Sequence, residues 1–267
     1  MPYYRELSLS RWWQGGVTPS IGDIEGALLT VEGSRTRVHV LIRPRPGDFV
    51  YSALEKQVME MDVSSAVKAG AHGVVIGALL EDGSIDHETT ERLVRAAKAA
   101  AGATAEAASG AAEEAPAMVA AASSAISVTF HRAFDCCTTD PVTAMESLVR
   151  LGVDRILTSG GQGSAWDGRA VIARLVEASK GRIAILPGAG VTSNNVKQLL
   201  LQTGAKEVHV GSACQENEKN VLMSVLPRDT AAGHLGSVRE GFAGVVLKTV
   251  SARRVTEMLT ILGDELS

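Results

Sequence analysis

A histidine, an arginine and an aspartate stand together at the end of one candidate strand. Ser127–His131 is rich in β-branched and aromatic residues, and Arg132 and Asp135 follow it at once. A histidine in that position is a candidate general acid or base, or a metal ligand. Asp135 is a candidate second catalytic group that orients the imidazole. The alternative is a buried structural histidine that the carboxylate braces.

Two arginines follow another candidate strand, Val38–Ile42. Arg43 and Arg45 alternate with prolines, which stiffen the segment into an extended turn. Guanidinium groups match carboxylates and phosphates in two-pronged geometry, so the pair predicts an anion site. Asp48 and Tyr51 are near enough in sequence to join it. The alternative is one inward arginine paired with an acid and one solvated arginine.

Glycine-rich turns form a third candidate site. Gly188 and Gly190 follow a strand candidate that ends at Pro187, and Ser212 follows the candidate Glu207–Gly211. Glycine lets a backbone approach an anion closely, and the first turn of a helix offers N–H donors. The turns therefore predict phosphate-binding loops, and tight turns that simply need glycine are the alternative.

The three cysteines are an odd number, and two of them, Cys136 and Cys137, are adjacent. Thiolates favour soft ions such as Cu(I). Adjacent side chains on an extended backbone point apart, however, so two free or structural thiols remain the alternative. An odd count argues against a disulfide scaffold and favours a reducing compartment inside the cell.

The elements that must position these residues follow one rhythm from residue 38 onward. Short β-branched runs alternate with helix-period segments near residues 52–69, 86–101, 141–151, 168–179 and 193–203. The strand candidates are Val38–Ile42, Gly73–Gly77, Ser127–His131, Asp154–Thr158, Ile183–Pro187 and Glu207–Gly211. Such alternation predicts parallel strands in an α/β barrel, whose ligands bind at the carboxyl ends of the strands.

Six strands are two fewer than a closed barrel of this class needs. Glu6–Leu9 and Gly244–Val250 are further candidates, without a clear helical partner on both sides. Alternation along the strands turns one set of polar side chains toward the barrel interior. That set is His39, Arg43, Thr129, His131, Glu207 and His209.

An alanine-rich stretch interrupts the rhythm. Of residues 96–125, 17 are alanine, and Gly102, Gly110 and Pro116 are interspersed. So few large apolar residues can bury little surface. We interpret residues 102–124 as a low-complexity insertion that extends a helix into a solvated surface loop, within one domain spanning residues 1–267.

Composition excludes several classes of function. The net charge is −4 and aromatic residues make up 4%, which argues against nucleic acid as a partner. The sequence has neither an apolar run long enough to span a bilayer nor the pattern of a signal peptide at its N-terminus. The expected location is the cytoplasm.

Together the motifs resemble the CutC copper-homeostasis family. The matching stretches are Gly15–Ser20, Leu41–Arg45, Gly47–Phe49, Tyr51–Ser52, Val128–Asp135, Ile156–Gly160, Gly188–Val191 and Glu207–His209. The resemblance implies a TIM-type (β/α)8 barrel and a cytoplasmic protein that handles Cu(I). It also places Ser159 and His209 among the ligand-binding candidates.

The beginning of the chain departs from the family pattern. Family members carry a strand, a helix and a second strand ahead of the Gly-Gly-x-Thr-Pro-Ser segment, where this chain has only Met1–Gln14. We therefore expect a barrel that lacks its first β-α-β unit. Closure by Met1–Trp13, closure by a second copy in a homo-oligomer, and a truncated sequence are the alternatives.

Two functions follow from these patterns. The first is copper homeostasis with Cu(I) bound by His131 and Cys137, although the family's N-terminal cysteines have no counterpart here. The second is an enzyme of unknown reaction that acts on a small phosphate or carboxylate metabolite. Its motivation is a polar mouth made of Arg43, Arg45, Asp48, His131, Arg132, Asp135 and the Gly188–Gly190 loop, so Arg132 is also a ligand-binding candidate. The sequence leaves open whether the protein is an enzyme.

Overall fold

Six parallel strands form the main sheet of the protein. The computed structural model describes residues 5–10, 16–110, 126–218 and 247–263. The strands are β1 (Arg5–Leu9), β2 (Thr36–Leu41), β3 (Gly73–Ile76), β4 (Ser127–Phe130), β5 (Arg155–Thr158) and β6 (Ala184–Pro187). Each strand is hydrogen-bonded to the next one in sequence, so the sheet is a parallel half-barrel.

Helices connect the neighbouring strands and cover one face of the sheet. The helices are α1 (Ile21–Val31), α2 (Ala53–Lys68), α3 (His87–Gly110), α4 (Pro141–Leu151), α5 (Arg169–Ser179), α6 (Val196–Thr203) and α7 (Ala252–Gly263). The first five each lie between two consecutive strands. A separate antiparallel pair is made by β7 (Gln215–Glu218) and β8 (Leu247–Val250).

The two faces of the sheet carry different side chains. Val38, Val40 and Ile42 have no exposed surface and belong to the apolar core. His39 and His131 share the opposite face, because their rings lie over Gly73 in β3 and Gly77 directly after it. A Cβ atom added to Gly73 would lie 2.5 Å from the ring of His39, and one added to Gly77 would lie 2.5 Å from Nδ1 of His131. The polar interior predicted from strand alternation is present at these two histidines.

Helix ends follow the local sequence. The carboxylate of Asp140 accepts the N–H groups of Val142 and Thr143, and Pro141 occupies the first helical position of α4. The helix ends where Gly152 adopts a left-handed conformation with φ of 78°. In the same way, Asp86 accepts the Thr89 N–H group at the start of α3.

Five of the six strand predictions are confirmed, and the sixth, Glu207–Gly211, is wrong. His209 donates one backbone hydrogen bond of 2.9 Å to the Pro187 carbonyl, but the segment forms no strand. Pro187 has no N–H group, so β6 cannot continue the ladder at that point. The segment still runs beside β6 and delivers His209 to the edge of the sheet.

The two extra candidates had different outcomes. Glu6–Leu9 is part of β1, which pairs in parallel with β2. The prediction that a whole β-α-β unit is lacking is therefore not confirmed, because a strand precedes the Gly-Gly segment. Gly244–Val250 is wrong as a strand of the main sheet, since Leu247–Val250 pairs antiparallel with β7. Residues 244–246 lie outside the described residues.

The alanine-rich stretch begins as helix. Helix α3 continues to Gly110 and so includes the start of the predicted insertion. Residues 111–125 lie outside the described residues. In the part of the chain that the structure describes, no helix has the length and apolar character of a membrane span.

Candidate functional site

His131 lies directly after β4, and its ring is buried with 6% exposure. Its Nδ1 atom accepts a hydrogen bond of 3.0 Å from the Ala133 N–H group. In a neutral imidazole one nitrogen accepts and the other carries the proton, so the proton belongs on Nε2. Among the described residues, Nε2 is buried without a hydrogen-bond partner. A buried donor without an acceptor calls for an explanation, and a ligand is one.

The surroundings of the ring keep it neutral. Burial, and next the positive charge of Arg43, lower the pKa of His131 from 6.5 to about 3. The Phe49 ring stands against it with centroids 4.9 Å apart. Since protonation would require a pH far below neutral, the imidazole is an uncharged hydrogen-bond donor under ordinary conditions.

Arg43 is held in place by backbone groups. Its guanidinium donates to the carbonyl oxygens of Gly16 at 3.2 Å and Gly47 at 2.6 Å. The backbone N–H group of Arg43 donates to Thr18 Oγ1 at 2.9 Å, and the backbone carbonyl of Arg43 accepts the Thr18 N–H group. The guanidinium carbon lies 4.9 Å from the Phe49 ring centroid. The charge is thus fixed beside the aromatic wall that it shares with His131.

Tyr51 adds a hydroxyl group to the same region. The side chain is 5% exposed, and its hydroxyl is buried without a partner of good geometry among the described residues. Burial raises the pKa of Tyr51, while the nearby charge of Arg43 acts in the opposite direction. The phenol therefore keeps its proton at neutral pH and can donate it to a ligand.

Arg45 does not join Arg43. Its Nε donates to Glu55 at 2.7 Å, and its Nη2 donates to Asp48 at 2.8 Å and to the Val50 carbonyl at 2.7 Å. Two carboxylates balance this guanidinium, which braces the loop between β2 and α2. Of the two predicted arginines, Arg43 faces the interior, and Arg45 and Asp48 form a structural ion pair.

The Asp135 carboxylate binds to the loop that follows β5. The carboxylate accepts the N–H groups of Ser159 at 3.0 Å and Gly161 at 3.2 Å, together with the hydroxyl of Thr158. It also accepts Nε–H of Arg132 at 2.8 Å. These contacts include none to His131 within the described residues. The carboxylate fills a cradle of N–H groups that could otherwise hold an external anion.

Arg132 and Ser159 belong to the same network. The guanidinium of Arg132 donates to Ser159 Oγ at 3.0 Å, and that hydroxyl donates to the Gln162 carbonyl at 2.6 Å. Loss of contact with water, and next the charge of Arg132, lower the pKa of His209. The hydrogen bonds of this network join the loops that follow β4 and β5.

The glycines of the turn at residues 188–190 have structural roles. A Cβ atom on Gly188 would lie 2.5 Å from Leu157 Cδ1 and 3.3 Å from His209 Cβ, so this position requires close packing. Gly190 has φ of +67°, and its carbonyl accepts the side-chain amide of Asn195 at 2.9 Å. Ser212 lies exposed in a short 3₁₀ turn. The phosphate role of these loops stays a prediction.

Within the described residues, the cysteines are not gathered with other metal-binding side chains. Cys136 is exposed, Cys137 is partly buried, and both are free thiols. Within the described ranges, no group of three or more His, Cys, Asp or Glu side chains gathers around one point. The metal role of Cys137 stays a prediction.

Three residues of the site were not identified from the sequence as site residues: Thr18, Phe49 and Gly77. Gly77 is the position that a strand pattern could have indicated, because a glycine at the end of a β-branched run marks close approach of another group. Thr18 and Phe49 act through contacts with Arg43 and carry no local signal.

Comparison with known proteins identifies the family. The CutC family model matches residues 6–117 and 106–214, which is most of the chain. The chain belongs to the CutC family. The resemblance predicted from the motifs is confirmed, and the strand at Arg5–Leu9 falls at the start of the matched region.

Relatives of this CutC chain come from bacteria and mammals. It is 42% identical to CutC of Parabacteroides distasonis over 199 residues, covering 74% of this chain and 70% of the relative. A human relative named copper homeostasis protein cutC homolog is 40% identical over 196 residues, 73% of this chain and 61% of that protein. The crystal structure of a CutC protein from Streptococcus agalactiae superposes with a TM-score of 0.64 at 31% identity, covering 77% of this chain and 87% of that one.

Proposed function

We propose that this CutC chain binds a small anionic metabolite at the carboxyl ends of its strands, between Arg43, Tyr51 and His131. The observation that supports it most strongly is the buried Nε2–H group of His131 beside a fixed guanidinium. A buried donor left without an acceptor costs about 1–3 kcal/mol. A ligand oxygen held by Arg43 would remove that cost.

The architecture supports an enzyme rather than a carrier. We take the parallel half-barrel as part of a (β/α)8 barrel in one domain, residues 1–267, with an insertion at about 102–124. Barrels of that class place their active sites at the carboxyl ends of the strands, where Arg43 and His131 lie. A cytoplasmic location and closure by a second copy in a homo-oligomer belong to the same proposal.

Replacing Arg43 by glutamine tests the anion site. Calorimetric titration with oxalate, pyruvate and inorganic phosphate is expected to show binding of at least one anion to the unmodified chain. We expect the R43Q variant to lose about tenfold or more in affinity, because a charge-assisted hydrogen bond is removed. The matched control is R45Q, which loses the ion pairs to Glu55 and Asp48 in the same loop but no ligand contact. Binding of none of the three anions, or equal affinity in R43Q and the unmodified chain, would contradict the proposal.

A role in copper homeostasis is the second proposal, and the name of the human relative favours it. The ligand set for Cu(I) would rest on Cys137 with Cys136 beside it. His131 does not fit as a ligand, because Nδ1 already accepts the Ala133 N–H group and Nε2 carries the proton. The anion proposal therefore requires the Nε2–H group of His131, whereas the copper proposal does not use His131.

Anaerobic titration with Cu(I) against a chromophoric chelator separates them. We expect C137S to weaken Cu(I) binding by about tenfold or more, because a soft thiolate is replaced by a hard hydroxyl. H131F should leave the Cu(I) affinity unchanged. Failure of the unmodified chain to compete with the chelator would remove copper binding, and an equal loss in H131F would restore His131 as a ligand.

A further inference from the structure

The hydrogen-bonding role of His131 is fixed by the backbone beside it. The Ala133 N–H group points at Nδ1 from 3.0 Å. A proton on Nδ1 would set two donors against each other, so the structure selects the form protonated on Nε2. The ring cannot act as a base through Nδ1 without first breaking that bond.

Two neighbours hold the plane of the ring. Gly77 leaves only backbone beneath it, since a Cβ there would lie 2.5 Å from Nδ1. Phe49 stands against the ring at 4.9 Å with an angle of 47° between the planes. The Nε2–H group is therefore aimed in one direction before any ligand arrives, which is the preorganisation that polarising donors require.

The guanidinium of Arg43 has a fixed position near the Nε2–H group of His131. Arg43 and His131 flank the same Phe49 ring, each 4.9 Å from its centroid. A ligand lying on this aromatic wall could give one acceptor to the guanidinium and a second to the neutral imidazole. The two acceptors then differ in character, because a cation favours a carboxylate and a neutral donor suits an uncharged oxygen.

A cradle of backbone N–H groups that could hold phosphate after the neighbouring strand β5 is already filled. Phosphate sites commonly use such groups in a glycine-rich loop. In the loop after β5, the N–H groups of Ser159 and Gly161 already bind the Asp135 carboxylate. A flat aromatic wall with a few separate donors fits a planar acid better than a tetrahedral anion.

We infer that the ligand is a small 2-oxo carboxylate, whose carboxylate binds Arg43 and whose oxo oxygen accepts the Nε2–H bond of His131. This inference rests on the proposed anion site and adds the class of its ligand. His131 then polarises the carbonyl as a neutral donor and does not remove a proton.

Paired ligands and paired variants test the inference. Pyruvate and acetate share the carboxylate and differ in the oxo group, so their affinity ratio reports the bond to His131. We expect the chain to prefer pyruvate by about tenfold, the worth of one good hydrogen bond. H131F keeps an aromatic ring but has no N–H group, so it should abolish the preference for pyruvate. H131Q places an N–H group near the position of Nε2 and should restore part of that preference. R43Q should weaken both acids.

The outcomes distinguish the inferred ligand class from the proposed anion site itself. Equal affinity for pyruvate and acetate, both lost in R43Q, would overturn the inference and leave the anion site standing. A pyruvate preference that survives in H131F would also overturn it. Failure of both acids to bind, with binding of inorganic phosphate retained, would overturn the inference alone, and binding of none of these anions would remove the proposed function as well.

A spectroscopic measurement covers the case in which a variant fails to fold. Long-range ¹H–¹⁵N correlation spectra of the unmodified chain distinguish the two imidazole tautomers. We expect Nε2 to be protonated and Nδ1 to be bare from neutral pH down to about pH 5. A proton on Nδ1, or a doubly protonated ring in that range, would overturn the inference without any binding data.

Discussion

Replacing Asp135 by alanine is expected to lower the free energy of unfolding by about 3 kcal/mol. The carboxylate is only 7% exposed and accepts bonds from Arg132, from the Ser159 and Gly161 N–H groups and from the Thr158 hydroxyl. Alanine leaves these donors without an acceptor. Because Arg132 is 45% exposed, its ion pair contributes little of the loss, and the loop donors contribute most.

Denaturant unfolding followed by circular dichroism measures this loss. The control is D48A, which also removes an aspartate bonded to an arginine, but one that is 68% exposed. D48A should cost much less, because water replaces its bonds. Similar losses for the two variants would show that the Asp135 network is not the brace that joins the loops after β4 and β5.

The main elements of the fold were accessible from the sequence because their signals are local. Ser127–His131 and Gly73–Gly77 are β-branched runs between turn residues, and both contain strands of the sheet. Helix α1 was missed, although Ser20 and Asp23 cap each other's N–H groups at its start. That pair is a local signal and could have been recognised.

What the sequence could not give depends on long-range contacts. Glu207–Gly211 has the composition of a strand, but Pro187 on its neighbour has no N–H group to offer. Arg43 and Arg45 look equivalent in the sequence, and only the fold shows that Arg45 forms ion pairs with Glu55 and Asp48. Its position in the sequence predicts that Asp135 orients His131, but Asp135 instead binds the Ser159 N–H group, 24 residues further along the chain. Position at a strand end identified the candidate residues, and the contacts decided their roles.

Replacing Gly168 by alanine is expected to cost about 3 kcal/mol or more, because two backbones touch there. A Cβ on Gly168 would overlap the Ser159 carbonyl oxygen and lie 2.8 Å from its carbon. It would also lie 2.9 Å from Gly160 Cα. Flexible side chains could move aside, but these atoms belong to a loop that Asp135 holds in place. The methyl group must therefore displace the loop or the start of α5.

Gly163 provides the matched control within the same loop. A Cβ there meets nothing within 4 Å, so G163A should change the free energy of unfolding by no more than about 0.5 kcal/mol. Because the methyl group displaces Ser159, G168A should also break the bond from Arg132 Nη2 to Ser159 Oγ. Chemical-shift changes at Arg132 and Ser159 in G168A, absent in G163A, would link the stability loss to this contact. Equal unfolding energies for the two variants would mean that the approach of Gly168 to Ser159 does not fix the loop, and that the network after β5 is held by Asp135 alone.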